Sequence, residues 1–275
     1  MTPSRPPSVA VSFDHVDQRE RAEAIAERLG LPIAKKFNDP RPIHLALRHS
    51  ADDRDEDERL ELRVVEPGHP LVGGHGVYAD LTKLDTTSPA GRSLKTPLLK
   101  AIGIHKQRSG ERPNVLDATA GLGEDAWLLA AAGCQVTAIE RHPIVHALLA
   151  DALRRARPTA PDVTDRIQLL PCAEAGDVLR ESAASGKRFD VVLLDPMFPG
   201  SARRKTAERK PMRVLRWLVG DDADADDLMD LARKTARQRV VIKRPKHAPH
   251  LAGIEPVATH AGKGLRFEVV IPVRD

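Results

Sequence analysis

Cysteines, aromatic residues and long apolar runs are scarce in this chain of 275 residues. Its two cysteines, Cys134 and Cys172, show no Cys-x-x-Cys spacing, which argues against a disulfide framework and a zinc site. No stretch approaches the ~20 apolar residues of a transmembrane helix, and the first residues lack the apolar run of a signal peptide. His142 and His146 have metal-ligand spacing but lack a suitably placed third ligand. We expect a cytoplasmic protein without a metal or a membrane partner.

The bulk composition is typical of a folded globular protein. Hydrophobic residues make up 41% of the chain and charged residues 30%, so an ordinary core can form. Lys and Arg outnumber Asp and Glu by 43 to 39, and this surplus is too small to identify an anionic partner by itself. The length favours one α/β domain with a smaller domain attached.

Two regions differ in their pattern of apolar residues. Residues 1–94 contain short apolar runs near Val9, Leu45, Leu62 and Tyr78, with a helical segment ended by Gly30, and predict a small α+β domain. In residues 95–275, strands and helices alternate until two final β runs. This alternation predicts a Rossmann-like, mostly parallel sheet of seven strands with an antiparallel edge.

A glycine-rich turn follows the first strand of the alternating region. Gly121 and Gly123 let the backbone approach a ligand closely at the start of a helix, which predicts a nucleotide-like ligand. Asp117, at the strand end, could order the turn or attract a cationic part of that ligand. Glu140 ends the second strand, where a carboxylate can bind ribose hydroxyls. NAD and S-adenosylmethionine (SAM) both remain compatible with this pattern.

The sequence Asp-Pro-Met-Phe-Pro begins at Asp195, after the fourth strand and at the same predicted sheet edge as the glycine turn. The Asp195 carboxylate and the Pro196 carbonyl could accept N–H bonds from an exocyclic amine, and Phe198 could stack on a flipped-out base. A simple strand-ending turn is the alternative. The neighbouring glycine turn favours amine methylation.

A basic segment follows this turn, and a second basic group ends the fifth strand. Seven cations accompany one acid between residues 199 and 219: Arg203, Arg204, Lys205, Arg209, Lys210, Arg213 and Arg216. Such a cluster can neutralise RNA phosphates, although a solvated basic helix would look the same. Lys243 and Arg244 could contact rRNA phosphate or the target nucleotide, or form a plain surface turn.

These residues resemble the RsmJ family of 16S rRNA guanine-N2 methyltransferases, which have the class I SAM-dependent fold. The resemblance spans residues 90–275 and rests on LDATAGLGEDAWLLAAAGCQV, IERHPIVHALLADAL, LLDPMFP, MRVLRWLVG, DADDLMDLAR, VVIKRP and GKGLRFEV. It implies SAM as cofactor, the small ribosomal subunit as partner, and a target of the guanine 1516 type. The cofactor contacts that it implies are Glu124, Asp125, Glu140, Arg141, Ala173, Glu174 and Asp195.

This sequence departs from the family pattern at two places. Glu124 replaces a usual arginine, and Ala173 and Glu174 replace two usual serines. Two other functions stay open: methylation of another amine, such as DNA adenine or protein glutamine, and RNA binding without catalysis. An asparagine at position 195 would have favoured the first of these. Residues 1–94 are expected to dock the substrate.

Overall fold

The computed structural model describes residues 7–34, 39–49, 58–104, 111–197, 210–220 and 225–273. Its strands are β1 Val9–Phe13, β2 Ile43–His49, β3 Glu58–Val64, β4 Asn114–Asp117, β5 Gln135–Ala138, β6 Ile167–Leu169, β7 Phe189–Leu194, β8 Ala236–Pro245, β9 Ala258–Ala261 and β10 Leu265–Val270. Its helices are α1 Arg19–Leu29, α2 Pro97–Ile102, α3 Glu124–Ala131, α4 Pro143–Ala156, α5 Pro161–Thr164, α6 Ala175–Ala184, α7 Lys210–Val219 and α8 Ala225–Thr235.

The chain forms two compact units. The first comprises residues 1–79, 147–155 and 197–221, and the second comprises residues 80–146, 156–196 and 222–275. Because the two units alternate along the chain, no single cut separates them. The domain boundary between residues 94 and 95 stays a prediction.

The first unit contains a three-stranded sheet, in which β1 pairs in parallel with β2 and β2 pairs antiparallel with β3. Helix α1 ends at Gly30, which has a φ of 63°, as the sequence predicted. The predicted fourth strand near Tyr78 is wrong. Val77 forms only an isolated bridge with Leu62, residues 78–80 belong to no strand, and a short 3₁₀ turn follows at Leu81–Lys83.

A buried carboxylate holds part of the first unit together. Asp151 accepts a hydrogen bond from the backbone N–H of Leu60 at 3.0 Å and from the side chains of Arg21 at 3.0 Å and Arg155 at 2.9 Å. Elsewhere in this unit, the rings of His69 and Trp217 stack with centroids 4.3 Å apart. Trp217 therefore anchors α7 within the first unit.

The second unit contains a seven-stranded sheet in the order β6-β5-β4-β7-β8-β10-β9. Strands β4 to β8 pair in parallel, and β10 is antiparallel to both β8 and β9. The predicted mostly parallel sheet with an antiparallel edge is therefore confirmed. The chain turns from one side of β4 to the other between β6 and β7, so the carboxyl ends of β4 and β7 form a topological switch point, where such sheets bind ligands.

Apolar side chains from both faces form the core of this sheet. Trp127 and Leu129 of α3 are buried, Leu128 is half-buried, and Cys134 is a free cysteine inside the same core. Helix α2 is capped by the Thr96 hydroxyl and contributes Leu98 to the cluster. Among the described helices, none has the length and apolar character needed to cross a membrane.

Candidate active site

The predicted cofactor residues lie at one edge of the second unit, where the parallel strands end. Asp117, Gly121 and Gly123 belong to the β4 end and the turn after it. Glu140 and Arg141 follow β5, Ala173 and Glu174 follow β6, and Asp195 follows β7. The structure thus brings together residues that are up to 78 positions apart in the chain, from Asp117 to Asp195.

The glycine turn is tied to both neighbouring strands. The Ala118 N–H donates to the Leu193 carbonyl at 3.0 Å, and the Ala120 N–H donates to the Ile139 carbonyl at 2.8 Å. Gly123 begins α3 with a φ of 82°, a conformation that favours glycine. A Cβ added at Gly121 would meet no heavy atom within 4 Å, so open space lies beside this part of the turn.

Glu140 connects this turn to the end of β5. Its Oε2 accepts a hydrogen bond from the Gly121 N–H at 3.0 Å, and its Oε1 accepts one from the His142 N–H at 2.7 Å. The Glu140 carboxylate is buried, in contact with the turn on one side and the end of β5 on the other. Nearby, Arg141 lies 3.7 Å from the exposed Glu174 carboxylate, while Ala173 is half-buried and Glu124 is exposed.

Asp195 is fixed through its backbone and leaves its carboxylate accessible. Its N–H donates to the Thr119 hydroxyl at 2.6 Å, which joins the Asp-Pro turn to the glycine turn. The Asp195 side chain is 40% exposed, so a substrate can reach it. The next residue, Pro196, is buried. Phe198 lies outside the described residues, and its stacking role stays a prediction.

Lys243 lies inside this site. Its Nζ is 2.7 Å from an Asp125 oxygen and 3.0 Å from an Asp195 oxygen, and its side chain is 20% exposed. The two carboxylates raise the pKa of Lys243, although burial alone would lower it, so the ammonium stays charged. These contacts differ from the RNA contact predicted for this residue.

A second buried acid lies close to this ion pair. Burial, and secondarily the carboxylate of Asp125, raises the pKa of Asp117 to about 8. The Asp195 carboxylate acts in the same direction, while the Thr119 N–H and Lys243 oppose it. Three acidic side chains, Asp117, Asp125 and Asp195, therefore lie around the single cation of Lys243. A cationic ligand would balance the surplus of acidic groups.

The other residues that the sequence predicted to contact RNA occupy different positions in the structure. Arg244 is fully buried, its side chain donates to the Pro249 carbonyl, and burial lowers its pKa to about 10. Without exposed surface, Arg244 has a structural role and not a phosphate contact. Lys210 begins α7 in the first unit, where its Nζ donates to the Gly73 carbonyl. Arg203, Arg204, Lys205 and Arg209 lie outside the described residues.

Comparison with known proteins identifies the family. A family model of SAM-dependent methyltransferases, SAM_MT, matches residues 48–272. A protein of Nitrosococcus oceani named ribosomal RNA small subunit methyltransferase J is 39% identical, with 96% of this chain and 98% of that protein covered. The chain belongs to the ribosomal RNA small subunit methyltransferase J family. A relative of the same name from Thioalkalivibrio sulfidiphilus is 38% identical over 96% of this chain and 97% of that protein.

A solved structure of a SAM-dependent methyltransferase from Neisseria gonorrhoeae shares the fold. It superimposes with a TM-score of 0.66 at 29% identity and covers 96% of each chain. The cofactor of this methyltransferase family is therefore SAM, and the residues present fit it. The open space at Gly121, the position of Glu140 at the end of β5 beside the glycine turn, and the excess of acid around Asp117 suit a ligand that has a ribose, a sulfonium and an amine.

Replacing Glu140 by alanine is expected to raise the Kd of SAM about 30- to 100-fold. The change removes the predicted ribose contact, a charge-assisted bond of about 1.5–3 kcal/mol. It also removes the acceptor that orders the Gly121 N–H in the turn. Calorimetric titration with SAM measures the effect, with the exposed Glu181 changed to alanine as control. An unchanged Kd in Glu140→Ala would contradict the ribose assignment.

The sequence did not reveal two parts of this methyltransferase site. Thr119 was part of the glycine turn but had no predicted role, and Lys243 was predicted to face RNA. Lys243 follows the apolar run of a strand that directly neighbours the strand before Asp195, and this adjacency was the available signal.

Proposed function

We propose that the chain transfers a methyl group from SAM to the exocyclic N2 of a guanine in 16S rRNA of the small ribosomal subunit. The observation that supports this most is the accessible Asp195 carboxylate, which is held beside the glycine turn by Thr119. Ribosomal RNA as the substrate is supported by the names of the relatives, which are small-subunit ribosomal RNA methyltransferases. Because ribosomal RNA is the substrate, the proposed location is the cytoplasm.

The chemistry follows from the properties of an aromatic amine. Its lone pair is delocalised into the ring, so the nitrogen is a weak nucleophile. Asp195 would accept one amine N–H and the Pro196 carbonyl another, which favours a tetrahedral nitrogen and offsets the developing positive charge. Phe198 would stack on the extruded base. SAM supplies the electrophilic methyl group on its sulfonium, and the departing proton goes to Asp195 or to water.

The RNA-binding part of the proposal rests on the basic segment after the Asp-Pro turn. Arg203, Arg204, Lys205, Arg209 and Lys210 would neutralise phosphates, and affinity should therefore fall as salt rises. Residues 1–94 would help to dock the subunit. Of these residues, the structure describes Lys210, which is half-buried and donates to the Gly73 carbonyl.

Deletion of the gene, followed by mapping of modified guanines in 16S rRNA by mass spectrometry, tests the proposed reaction. One N2-methylguanosine should disappear and return when purified protein and SAM are added to small subunits from the deletion strain. Methylated adenine or glutamine as the product would point to the alternative amine substrates. An unchanged N2-methylguanosine pattern would exclude the proposed function.

A further inference from the structure

We infer that Lys243 is a positioning residue for methyl transfer, which holds the Asp195 carboxylate in its amine-binding place and connects it to Asp125 on the cofactor-side helix. The inference rests on the proposed function, because it assumes that Asp195 receives the amine. It replaces the RNA contact that the sequence predicted for Lys243.

The sheet register explains why Lys243 reaches Asp195. Leu194 of β7 pairs with Ile242 of β8. The residues that follow them, Asp195 and Lys243, therefore also lie side by side. Antiparallel pairing with β10 continues through Lys243 to Pro245 and keeps this part of β8 extended. The ammonium is therefore held by a paired strand and not by a free loop.

The two carboxylates come from different elements that the ligands would touch. Asp125 is the second residue of α3, directly after the glycine turn, and Asp195 begins the Asp-Pro turn. The Lys243 ammonium contacts both, at 2.7 Å and 3.0 Å. The same cation therefore fixes the amine-binding carboxylate relative to the start of the cofactor helix.

Removing this cation would leave two carboxylates, Asp125 of α3 and Asp195 after β7, without their common counter-charge. Asp117 of β4 also faces Lys243, but its raised pKa keeps it protonated near pH 7. Repulsion between the carboxylates of Asp125 and Asp195 would raise the pKa of Asp195, so that less of it is ionised at neutral pH. An unrestrained Asp195 would also lose its alignment, and a misplacement of about 1 Å can cost about 10²-fold in rate.

The test compares Lys243→Met with the wild type and with Lys234→Met, which removes an exposed lysine at the end of α8. Substrates are small subunits from the deletion strain and SAM. For Lys243→Met we expect kcat at pH 7 to fall about 100-fold, with the KM for the subunit and the Kd of SAM within about fivefold. The acidic limb of its kcat profile should move to higher pH. Lys234→Met should behave as wild type.

Lys243→Arg keeps the cation and should recover a tenth or more of the wild-type kcat together with the wild-type pH profile. This variant also covers a failure of Lys243→Met to fold, which thermal melting would detect. Two outcomes would overturn the inference: a normal kcat in Lys243→Met, or a raised subunit KM and weaker salt dependence with kcat unchanged, as for an RNA contact. If instead the wild type leaves guanine N2 unmethylated in the same assay, the proposed function fails and the role of Lys243 fails with it.

Discussion

Replacing Asp195 by alanine is expected to lower kcat for methyl transfer by about 10³-fold or more, while the Kd of SAM changes by less than about tenfold. Loss of one pre-aligned group that stabilises developing charge costs about 10²–10³ in rate, and Asp195 would also hold the amine in line with the methyl group. Of the two carboxylates that contact Lys243, that of Asp195 is the more exposed, so a substrate can reach it.

A matched control lies on the same strand. Asp190 is five residues before Asp195, at the other end of β7, where it accepts the Asn114 N–H at 2.9 Å. Asp190→Ala should keep turnover near the wild-type value. Single-turnover assays with labelled SAM measure the transfer step, and calorimetry measures SAM binding. Full activity in Asp195→Ala would remove Asp195 from the mechanism.

Much of the site could be predicted because parallel strands direct their carboxyl ends to one edge. Asp117, Glu140 and Asp195 each follow a buried apolar run, and alternating helices require parallel strands. The strand periodicity therefore placed these acids together without any knowledge of their contacts. Local turn chemistry was equally readable, since Gly30 and Gly123 both have the positive φ that a glycine at a helix end permits.

The places of Lys243 and Arg244 depend on the pairing of β8 with a distant strand, which the local sequence does not show. The sequence predicted that Lys243 and Arg244 end the fifth parallel strand, where they would contact RNA or form a surface turn. They do end β8, but they are paired with β10 as far as Pro245 and form no surface turn. Successive residues of a strand point to opposite faces of the sheet. Lys243 therefore enters the site, whereas Arg244 is buried on the other face. Neither fate follows from the local sequence, because both depend on a partner strand more than 20 residues later. The opposite error occurs near Tyr78. The local sequence there resembles a strand, but only Val77 pairs with another residue, Leu62.

Replacing Asp117 by asparagine is expected to stabilise the cofactor-free protein at alkaline pH. An aspartate in an unfolded chain titrates near pH 4, whereas in the folded protein burial raises the pKa of Asp117 to about 8. Between these values the unfolded chain has released a proton that the folded protein retains, so the wild-type free energy of unfolding falls as pH rises. Asparagine has no such proton. The gain in Tm should be small near pH 4 and largest above pH 8, in melts at pH 4, 6.5 and 8.5.

The same substitution should weaken SAM binding about 100-fold, because it removes the negative charge that a buried cation would pair with, a loss of about 3 kcal/mol. The wild type should also release a proton when it binds SAM near pH 7, since a cation close to Asp117 lowers the pKa of that carboxyl. Calorimetry in buffers of different ionisation enthalpy measures this release, and Asp117→Asn should show less of it. Higher stability with unchanged SAM affinity would mean that Asp117 only orders the glycine turn through the Thr119 N–H. Asp117 destabilises the cofactor-free protein at alkaline pH, and its negative charge would stabilise the complex with SAM.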